Sequence, residues 1–258
     1  MKIKKITSYR DHASVKTSVK DFMYTLKFAE FSLKYMKAHP IPRLDKFRAA
    51  LLKSLSSKAP CAYSAEAVTG LVSEYPMLAK DPELGRALVV KILALLDLDC
   101  APLPTVAISV DAKSYLRGYL FIFYYWAKAI AAVMPKKKAI EYFQRIIDGQ
   151  TRSRSLPKMG KVSEWVFTLR KAQGAFKHAF ICTEFIMDEG RSGCRVDKCK
   201  WAEVLKELAD PDFAYAVACH YDFEAARMRN PSFKLTRKQT LTEGYPYQGD
   251  WGRCFQTS

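Results

Sequence analysis

The spacing of hydrophobic residues changes beyond the middle of the chain. Up to residue 150, apolar side chains recur every three or four positions, as on α-helices, whereas the segment KHAFICTEFIMD (177–188) alternates from one face to the other, as on a β-strand. This change predicts an α+β protein with an N-terminal helical layer, residues 1–150, packed on a C-terminal unit, residues 151–258, that contains a small antiparallel sheet. The two parts are expected to form one integrated domain.

Prolines and capping residues divide the first 150 residues into helices. Asp81 is placed to cap a helix that begins at Pro82, and Asp111 is placed to cap the aromatic helix that follows. Gly149 is expected to end the last helix of this half. Further helices are predicted over residues 14–37, over residues 44–56 and within residues 64–72.

The composition changes to Ser, Arg, Pro and Gly over residues 149–161, which indicates a loop or a boundary. The alternating segment that follows is predicted to be a strand, and GRSG (190–193) is predicted to turn the chain. Two helices should come next, over residues 199–210 and from Pro211 through Met228. SFKLTRKQTL (232–241) is predicted to be a strand, and a Gly-rich turn leads from it into a short terminal strand.

The formal charge of +16 is concentrated at the start of the chain, where residues 1–60 carry 14 Lys or Arg and 4 Asp or Glu. Such an excess can attract nucleic acid, anionic lipid or acidic metabolites. The lysines within residues 16–37, however, have the spacing of the solvated face of an amphipathic helix, and no nucleic-acid-binding motif accompanies them. Nucleic acid is therefore not the expected partner.

The most apolar segment, YLFIFYYWAKAIAAVM (119–134), invites comparison with a membrane span. It has sixteen residues, contains Lys128 and stops at Pro135. A spanning helix needs about 20 apolar residues, so we expect a buried core helix and no membrane span.

Seven cysteines at irregular spacings, with no signal peptide before them, fit a reducing cytosol better than a disulfide framework. The expected location is cytoplasmic and the thiols are expected to be free. A zinc set can be drawn from Cys194, Cys199, Cys219, His220 and Cys254. Its Cys-x4-Cys spacing is a poor zinc signature, and adjacent Cys and His residues on a helix point apart, so neither a metal nor a cofactor is expected. The oligomeric state stays open, a homo-oligomer included.

One stretch near the C terminus combines side chains that can carry out chemistry. Cys219 and Asp222 are three residues apart on a predicted helix and therefore share a face. Arg237 lies on a predicted strand, and an unpaired cation on its apolar face would be costly. The residues that share this face are Phe233, Leu235, Gln239 and Leu241. Arg237 thus needs a carboxylate partner, which is either Asp222 or a ligand.

The next segment adds a polar cluster beside an aromatic wall. The cluster consists of Gly244, Tyr247, Gln248, Asp250 and Cys254, and the wall consists of Tyr245 and Trp251. Spacing alone favours a structural interpretation, in which Asp222 and Arg237 form an ion pair within the fold and Cys219 is a small buried residue, because such pairs are common in folded domains. A site stays open as the alternative.

The stretch of residues 199–244 resembles the C-terminal signature of the L-2-amino-thiazoline-4-carboxylic acid hydrolase-like family. In that family a Cys opens a helix, and a Cys-x-x-Asp, an Arg-x-x-Thr-Leu strand and a Gly follow. The positions that agree are Cys199, Cys219, Asp222, Arg237, Thr240, Leu241 and Gly244. The chain departs from the family at the end. Where the family commonly has Cys-Asp-Phe, Gln248 stands near the expected Cys, and Asp250 and Trp251 replace the Asp and the aromatic residue.

The resemblance implies hydrolysis of a C–N bond that opens a small cyclic amidine-like or thiazoline carboxylic acid. Attack on the C=N carbon requires a nucleophile, either water or a thiolate, and a proton donor for the ring nitrogen. On this basis Arg237 is expected to grip the substrate carboxylate, and Asp222 to orient Arg237 or to act as a general base. Cys219, or otherwise Cys254, is the expected nucleophile. The further expected substrate-binding residues are Gly244, Tyr247, Gln248, Asp250 and Trp251.

Two other functional classes stay open. The missing Cys near Gln248 favours a non-catalytic protein that binds a small molecule on the same fold. A basic protein of nucleic-acid or membrane surfaces is supported by charge alone.

Overall fold

The computed structural model describes residues 2–7, 9–10, 12–56, 65–98, 107–161, 179–186, 188, 191–245 and 248–254. The chain divides into two compact units, one of Ser14–Ile146 and one of Met1–Ala13 with Ile147–Ser258. The strands in the described residues are β1 (Lys2–Thr7), β2 (Ser14–Thr17), β3 (Ile108–Asp111), β4 (Phe180–Ile186), β5 (Arg191–Cys199), β6 (Phe233–Arg237) and β7 (Gln248–Cys254). The helices are α1 (Val19–Ala38), α2 (Leu44–Leu55), α3 (Ala65–Val72), α4 (Pro76–Ala79), α5 (Pro82–Leu95), α6 (Ala112–Ala131), α7 (Lys136–Arg152), α8 (Lys200–Lys206), α9 (Pro211–Ala218) and α10 (Tyr221–Arg229), and a 3₁₀ turn spans Leu241–Glu243. The predicted α+β class is confirmed.

The unit of residues 14–146 is built mainly from helices whose ends follow the capping residues. The Asp81 carboxylate accepts a hydrogen bond from the Leu84 N–H at the start of α5. Asp111 accepts from the Lys113 N–H at the start of α6 in the same way. Both caps satisfy N–H groups that have no partner within their own helix.

The first helix of this unit begins later than the sequence predicts. Residues 14–17 were predicted to open it, but they form β2, which pairs antiparallel with β3. Val15 and Thr17 are buried and alternate with exposed neighbours, a period of two that suits β-branched residues in a strand. The helix proper begins at Val19.

The aromatic segment becomes the centre of this unit's core. The ring of Trp126, on α6, is fully buried and meets the rings of Phe28 and Phe47 edge-on, at centroid distances of 5.8 and 5.6 Å. Phe123 stacks on Phe28 with the centroids 3.8 Å apart. None of the helices in the described parts of the chain combines the length and the apolar character that crossing a membrane would need.

The other unit contains a five-stranded antiparallel sheet in the order β1-β4-β5-β7-β6. The sequence analysis did not predict β1, which pairs along its length with β4. It was also wrong about GRSG, because Arg191, Ser192 and Gly193 open β5 and pair with both β4 and β7. Cross-strand pairing on two sides thus outweighs the turn preference of Gly and Ser at these positions.

The register aligns one row of polar residues across all five strands. Lys4 pairs with Glu184, Glu184 with Cys194, Cys194 with Asp250 and Asp250 with Arg237. Two predicted site residues, Arg237 and Asp250, are therefore register partners in the last two strands of the sheet.

Short helices cover one face of the sheet. Cys182 and Cys194 share a hydrophobic cluster with Ala202, on α8, and with Leu241, in the 3₁₀ turn. Phe180 of β4 stacks on Trp201 of α8, with ring centroids 4.9 Å apart and planes 8° from parallel. These contacts hold α8 and the 3₁₀ turn against the strands.

Two helix boundaries differ from the predicted ones. α7 continues past Gly149 and ends at Arg152, so the boundary expected at residue 149 is helical for one more turn. The single helix predicted from Pro211 through Met228 is two helices, α9 and α10, separated at Cys219 and His220. No Gly or Pro stands at this break, so its cause lies in tertiary contacts.

Candidate functional site

The guanidinium of Arg237 is buried at the break between α9 and α10. The side chain is 1 % exposed. Nη2 donates to Asp222 Oδ2 over 2.7 Å, and Nη1 donates to the carbonyl oxygen of Cys219 over 2.8 Å. The guanidinium carbon lies 5.4 Å from the centroid of the Phe223 ring, within cation–π range. The cation predicted from the apolar stripe therefore fastens two helices to the end of β6.

The break is what makes the Cys219 carbonyl available. The last carbonyls of a helix have no partner within it and must be satisfied elsewhere. The N–H groups of Cys219 and His220 both donate to the Tyr215 carbonyl, over 2.9 and 3.2 Å, which closes α9 tightly. Arg237 donates a hydrogen bond to the Cys219 carbonyl oxygen. The helix therefore ends where the buried cation of β6 requires an acceptor.

The thiol of Cys219 is buried beside the 3₁₀ turn. The residue is 6 % exposed, and its Sγ lies 3.5 Å from Thr242 Oγ1. Asp222, three residues further on in α10, is 34 % exposed and reaches solvent. Cys219 and Asp222 were predicted to share a face of one helix, but the break between α9 and α10 separates them. Arg237 connects the two residues, because it donates to the Cys219 carbonyl and to the Asp222 carboxylate.

His220 follows Cys219 in the sequence but has a different partner. Its Nε2 lies 2.9 Å from Asp148 Oδ1, on α7. The described residues contain no group of three or more His, Cys, Asp or Glu positioned to hold a metal ion. His220 therefore contacts α7 through Asp148.

Cys199 is a second thiol close to the site. It is the residue before the first turn of α8. Burial raises the pKa of its thiol to about 12, and the negative charges of Cys219 and Asp222 act in the same direction. The thiol consequently keeps its proton at neutral pH, and Cys199 is a poor candidate for the nucleophile.

Tyr215 is a site residue that the sequence analysis missed. It lies on α9, one turn before Cys219, and is partly buried. Burial raises the pKa of its phenol above the usual value; Arg237 opposes that rise, whereas Cys219, Glu243 and Asp222 add to it. The phenol is therefore a protonated group within electrostatic range of the thiol and both carboxylates.

The 3₁₀ turn supplies further residues that were not predicted as site residues. Thr240 precedes the turn and its Oγ1 accepts from the Glu243 N–H, a capping arrangement. Thr242 contacts Cys219. The spacing of Thr240 and Glu243 is that of a capping box, and this signal was readable in the sequence.

The remaining predicted residues lie in the segment after the turn. Gly244 ends the 3₁₀ turn with φ of 91°, in the left-handed region that favours glycine. Tyr247 lies outside the described residues. Gln248 and Asp250 are paired with Val196 and Cys194 of β5.

Register separates Cys254 and Trp251 from the Arg237 position. Cys254 pairs with Phe233, four residues before Arg237 on β6, which is about 13 Å along the strand. Trp251, the residue after Asp250 in β7, pairs with Thr236 and is therefore not the register partner of Arg237. Of the two cysteines considered as nucleophile, the arrangement therefore favours Cys219.

A comparison with protein families finds one match. The family model described as L-2-amino-thiazoline-4-carboxylic acid hydrolase matches residues 116–247. The matched range contains Tyr215, Cys219, Asp222, Arg237 and Glu243, and it ends just before β7. No curated protein and no solved structure matches the chain.

Proposed function

Because the chain belongs to the L-2-amino-thiazoline-4-carboxylic acid hydrolase family, we propose that it hydrolyses a C–N bond in a small cyclic amidine-like or thiazoline carboxylic acid and so opens the ring. The family name itself supports the broader class, a hydrolase. One observation carries the finer proposal: a thiol and a carboxylate lie at a helix break that a buried arginine fastens, and a phenol on α9 interacts electrostatically with both.

The proposed reaction begins at the C=N carbon of the ring. The sulfur of Cys219 gives up its proton and forms a bond to that carbon, while the π bond of C=N breaks and the ring nitrogen takes a proton. The remaining carbon–nitrogen single bond then breaks as the other heteroatom on that carbon supplies an electron pair, and the nitrogen takes a second proton and leaves as an amine. Water attacks the carbon–sulfur adduct, restores the thiol and leaves a C=O group in place of C=N. The sum is one water consumed and one C–N bond broken.

Tyr215 and Asp222 supply the proton transfers in this proposal. The raised pKa of Tyr215 keeps its phenol protonated at neutral pH, which suits a donor to the leaving nitrogen. Asp222 is partly exposed and ionised beside Arg237, which suits a base that activates water. The two roles are assigned to different groups because their environments favour opposite protonation states.

Arg237 receives a different role from the one expected from the sequence. A guanidinium that is 1 % exposed and donates to Asp222 and to the Cys219 carbonyl is poorly placed to grip a substrate carboxylate directly. We assign it to positioning these two residues. The positive charge of Arg237 lies close to Cys219 and Asp222, and it favours binding of an anionic substrate beside them.

The departure at Gln248 bears on the choice of nucleophile. If Cys219 attacks the ring, the cysteine that the family commonly carries near position 248 is not required. If that cysteine is required, the chain binds such acids without opening them. This second candidate, a small-molecule-binding protein, is favoured by the substitution at Gln248.

The test is an assay of the purified protein with L-2-amino-thiazoline-4-carboxylic acid, following loss of the ring and appearance of the amine by mass spectrometry. Turnover by the wild-type protein, lost in Cys219→Ser and reduced in Asp222→Asn, is the expected result. Full turnover in both variants overturns the assignment of these residues. Thermal stabilisation by the acid without any ring opening supports the binding protein instead.

A further inference from the structure

Two threonines connect the Cys219 thiol to a carboxylate at the protein surface. Cys219 Sγ lies 3.5 Å from Thr242 Oγ1, which lies 2.8 Å from Thr240 Oγ1. Thr240 Oγ1 in turn lies 2.6 Å from Glu243 Oε2. Thr240 is fully buried and Thr242 is 5 % exposed, whereas Glu243 is exposed. The chain of hydroxyls therefore runs from the protein interior to solvent.

The direction of these hydrogen bonds follows from proton counting. A threonine hydroxyl has one proton to donate, and an ionised carboxylate only accepts. Thr240 donates to Glu243 Oε2 and so has no proton left for Thr242. Thr242 must therefore donate to Thr240, and its oxygen accepts the thiol proton of Cys219. All three protons point from the sulfur towards the carboxylate.

The oxygen of Thr240 is fully used in this arrangement. It accepts from Thr242 and also from the Glu243 N–H, over 3.2 Å, while its proton goes to the carboxylate. With both lone pairs and the proton engaged, this hydroxyl has no other direction available while Glu243 is ionised. The order of the chain thus depends on the charge of Glu243.

We propose that Thr242 and Thr240 form a proton relay through which Glu243 receives the proton of Cys219 when the thiol reacts. The sulfur electron pair forms the bond to an electrophilic carbon as the S–H bond breaks. The released proton passes to Thr242, the proton of Thr242 passes to Thr240, and that of Thr240 passes to Glu243 Oε2. Both threonines end neutral, with the Thr242 hydroxyl now pointing at the sulfur.

The inference deepens the proposed function and rests on it for the nature of the natural electrophile. Within that reaction Glu243 is a positioning residue, since it acts through the threonines and touches no reacting carbon. The relay would also give a thiol that is 6 % exposed a route for its proton to solvent.

Other titratable groups face the thiol from the elements around it. They are Cys199 before α8, Tyr215 on α9, Asp222 on α10 and Arg237 on β6. The charges of these groups affect the ionisation of the Cys219 thiol through space, and part of the effect of Glu243 is of this kind. The experiment must therefore separate coupling through the hydroxyls from the plain effect of charge.

A double-mutant cycle makes this separation. Alkylation of Cys219 by iodoacetamide is measured from pH 6 to pH 10 (about the range in which thiols ionise) by mass spectrometry of the Cys219 peptide. In Glu243→Gln the hydroxyl chain can reverse and donate to the thiolate, so the midpoint should move to lower pH by roughly one unit. In a Thr242→Val background the same substitution should cause a distinctly smaller shift, the part that acts through space.

Three further variants control the cycle. Thr242→Ser keeps a hydroxyl and should restore the effect of Glu243→Gln. Glu207→Gln removes an exposed carboxylate at the end of α8 and should cause no shift. Thr240→Val cuts the chain at its other hydroxyl and replaces Thr242→Val if circular dichroism shows that variant to be unfolded.

The outcomes separate the relay from the proposed function. An equal shift in both backgrounds means that Glu243 acts through space and overturns the relay, as does no shift in either. Absence of Cys219 alkylation at every pH overturns it too. Since iodoacetamide replaces the natural electrophile, a coupled thiol in a protein that opens no ring keeps the relay and rejects the hydrolase.

Discussion

The guanidinium of Arg237 is 1 % exposed, whereas the Asp222 carboxylate to which it donates is 34 % exposed. The ion pair thus has its cation inside the fold and its anion at the surface. Water can solvate Asp222 if the cation is lost, but water has little access to the Arg237 side chain if the carboxylate is lost. The pair is accordingly expected to be more sensitive to loss of the anion than an exposed pair is.

Replacing Asp222 by Ala should lower the free energy of unfolding by about 3 kcal/mol, because it leaves a buried cation without its anionic partner. Urea unfolding followed by circular dichroism measures this. Arg191→Ala is the matched control, since it breaks an exposed pair with Asp188 in the same unit and should cost less than about 1 kcal/mol. Equal losses in the two variants would show that burial of Arg237 has no energetic consequence.

Cys199 should resist alkylation in the folded protein at pH 8. With its pKa raised to about 12, only about one thiol in 10⁴ is ionised at that pH. Because the folded state holds this proton more tightly than the unfolded state, its contribution to stability is complete below pH 9 and is lost as the pH rises towards 12. Mass spectrometry of the Cys199 peptide checks the first statement; stoichiometric labelling at pH 8 contradicts it.

Tyr215→Phe should reduce kcat by about 10²-fold or more, because it removes the proton donor to the leaving nitrogen and keeps the ring in place. Since the pKa of Tyr215 is raised above 10, this donor should stay protonated through neutral pH and be lost only in more alkaline solution. Ring-opening rates across pH measure both effects. Tyr125→Phe removes another phenol whose pKa burial raises, on α6, and should leave kcat unchanged. A similar fall in both variants would point to general loosening of the fold.

Gly244→Ala should destabilise the protein by about 1 kcal/mol, because an L-residue at φ of 91° is strained. A Cβ at this position meets no atom within 4 Å, so the cost is conformational. Gly70→Ala is the matched control. That position is also open but lies within α3, where the change should stabilise by about 0.5 to 1 kcal/mol. Thermal unfolding of the two variants should therefore shift in opposite directions.

The parts of the fold that the sequence predicted are those governed by local rules. The caps at Asp81 and Asp111 act through hydrogen bonds within three residues, so they are visible in a short window. The parts it missed depend on distant pairing. No strand was predicted over residues 2–7, because β1 pairs with the distant β4. GRSG was predicted to be a turn, because its pairing with β4 and β7 is not visible in the local sequence.

The site divides in the same way. Cys219 and Asp222 are three residues apart in the sequence, and Arg237 stood out as a cation in an apolar stripe, so all three were predicted. Tyr215, Thr242 and Glu243 belong to the site because a 3₁₀ turn packs beside the end of α9, and no periodicity reports such a contact. The break at Cys219 was missed for a related reason, since it coincides with a hydrogen bond from a strand eighteen residues later.

The pairing of β1 with β4 has a consequence for the order in which the molecule is assembled. Residues 2–7 are synthesised before the unit of residues 14–146, but their partners, residues 181–186, are synthesised only after it. During that interval β4, with which β1 pairs, has not yet been synthesised. The lysines of β1 repel other copies of β1 on neighbouring nascent chains, so the charge of this segment can serve as protection during biosynthesis.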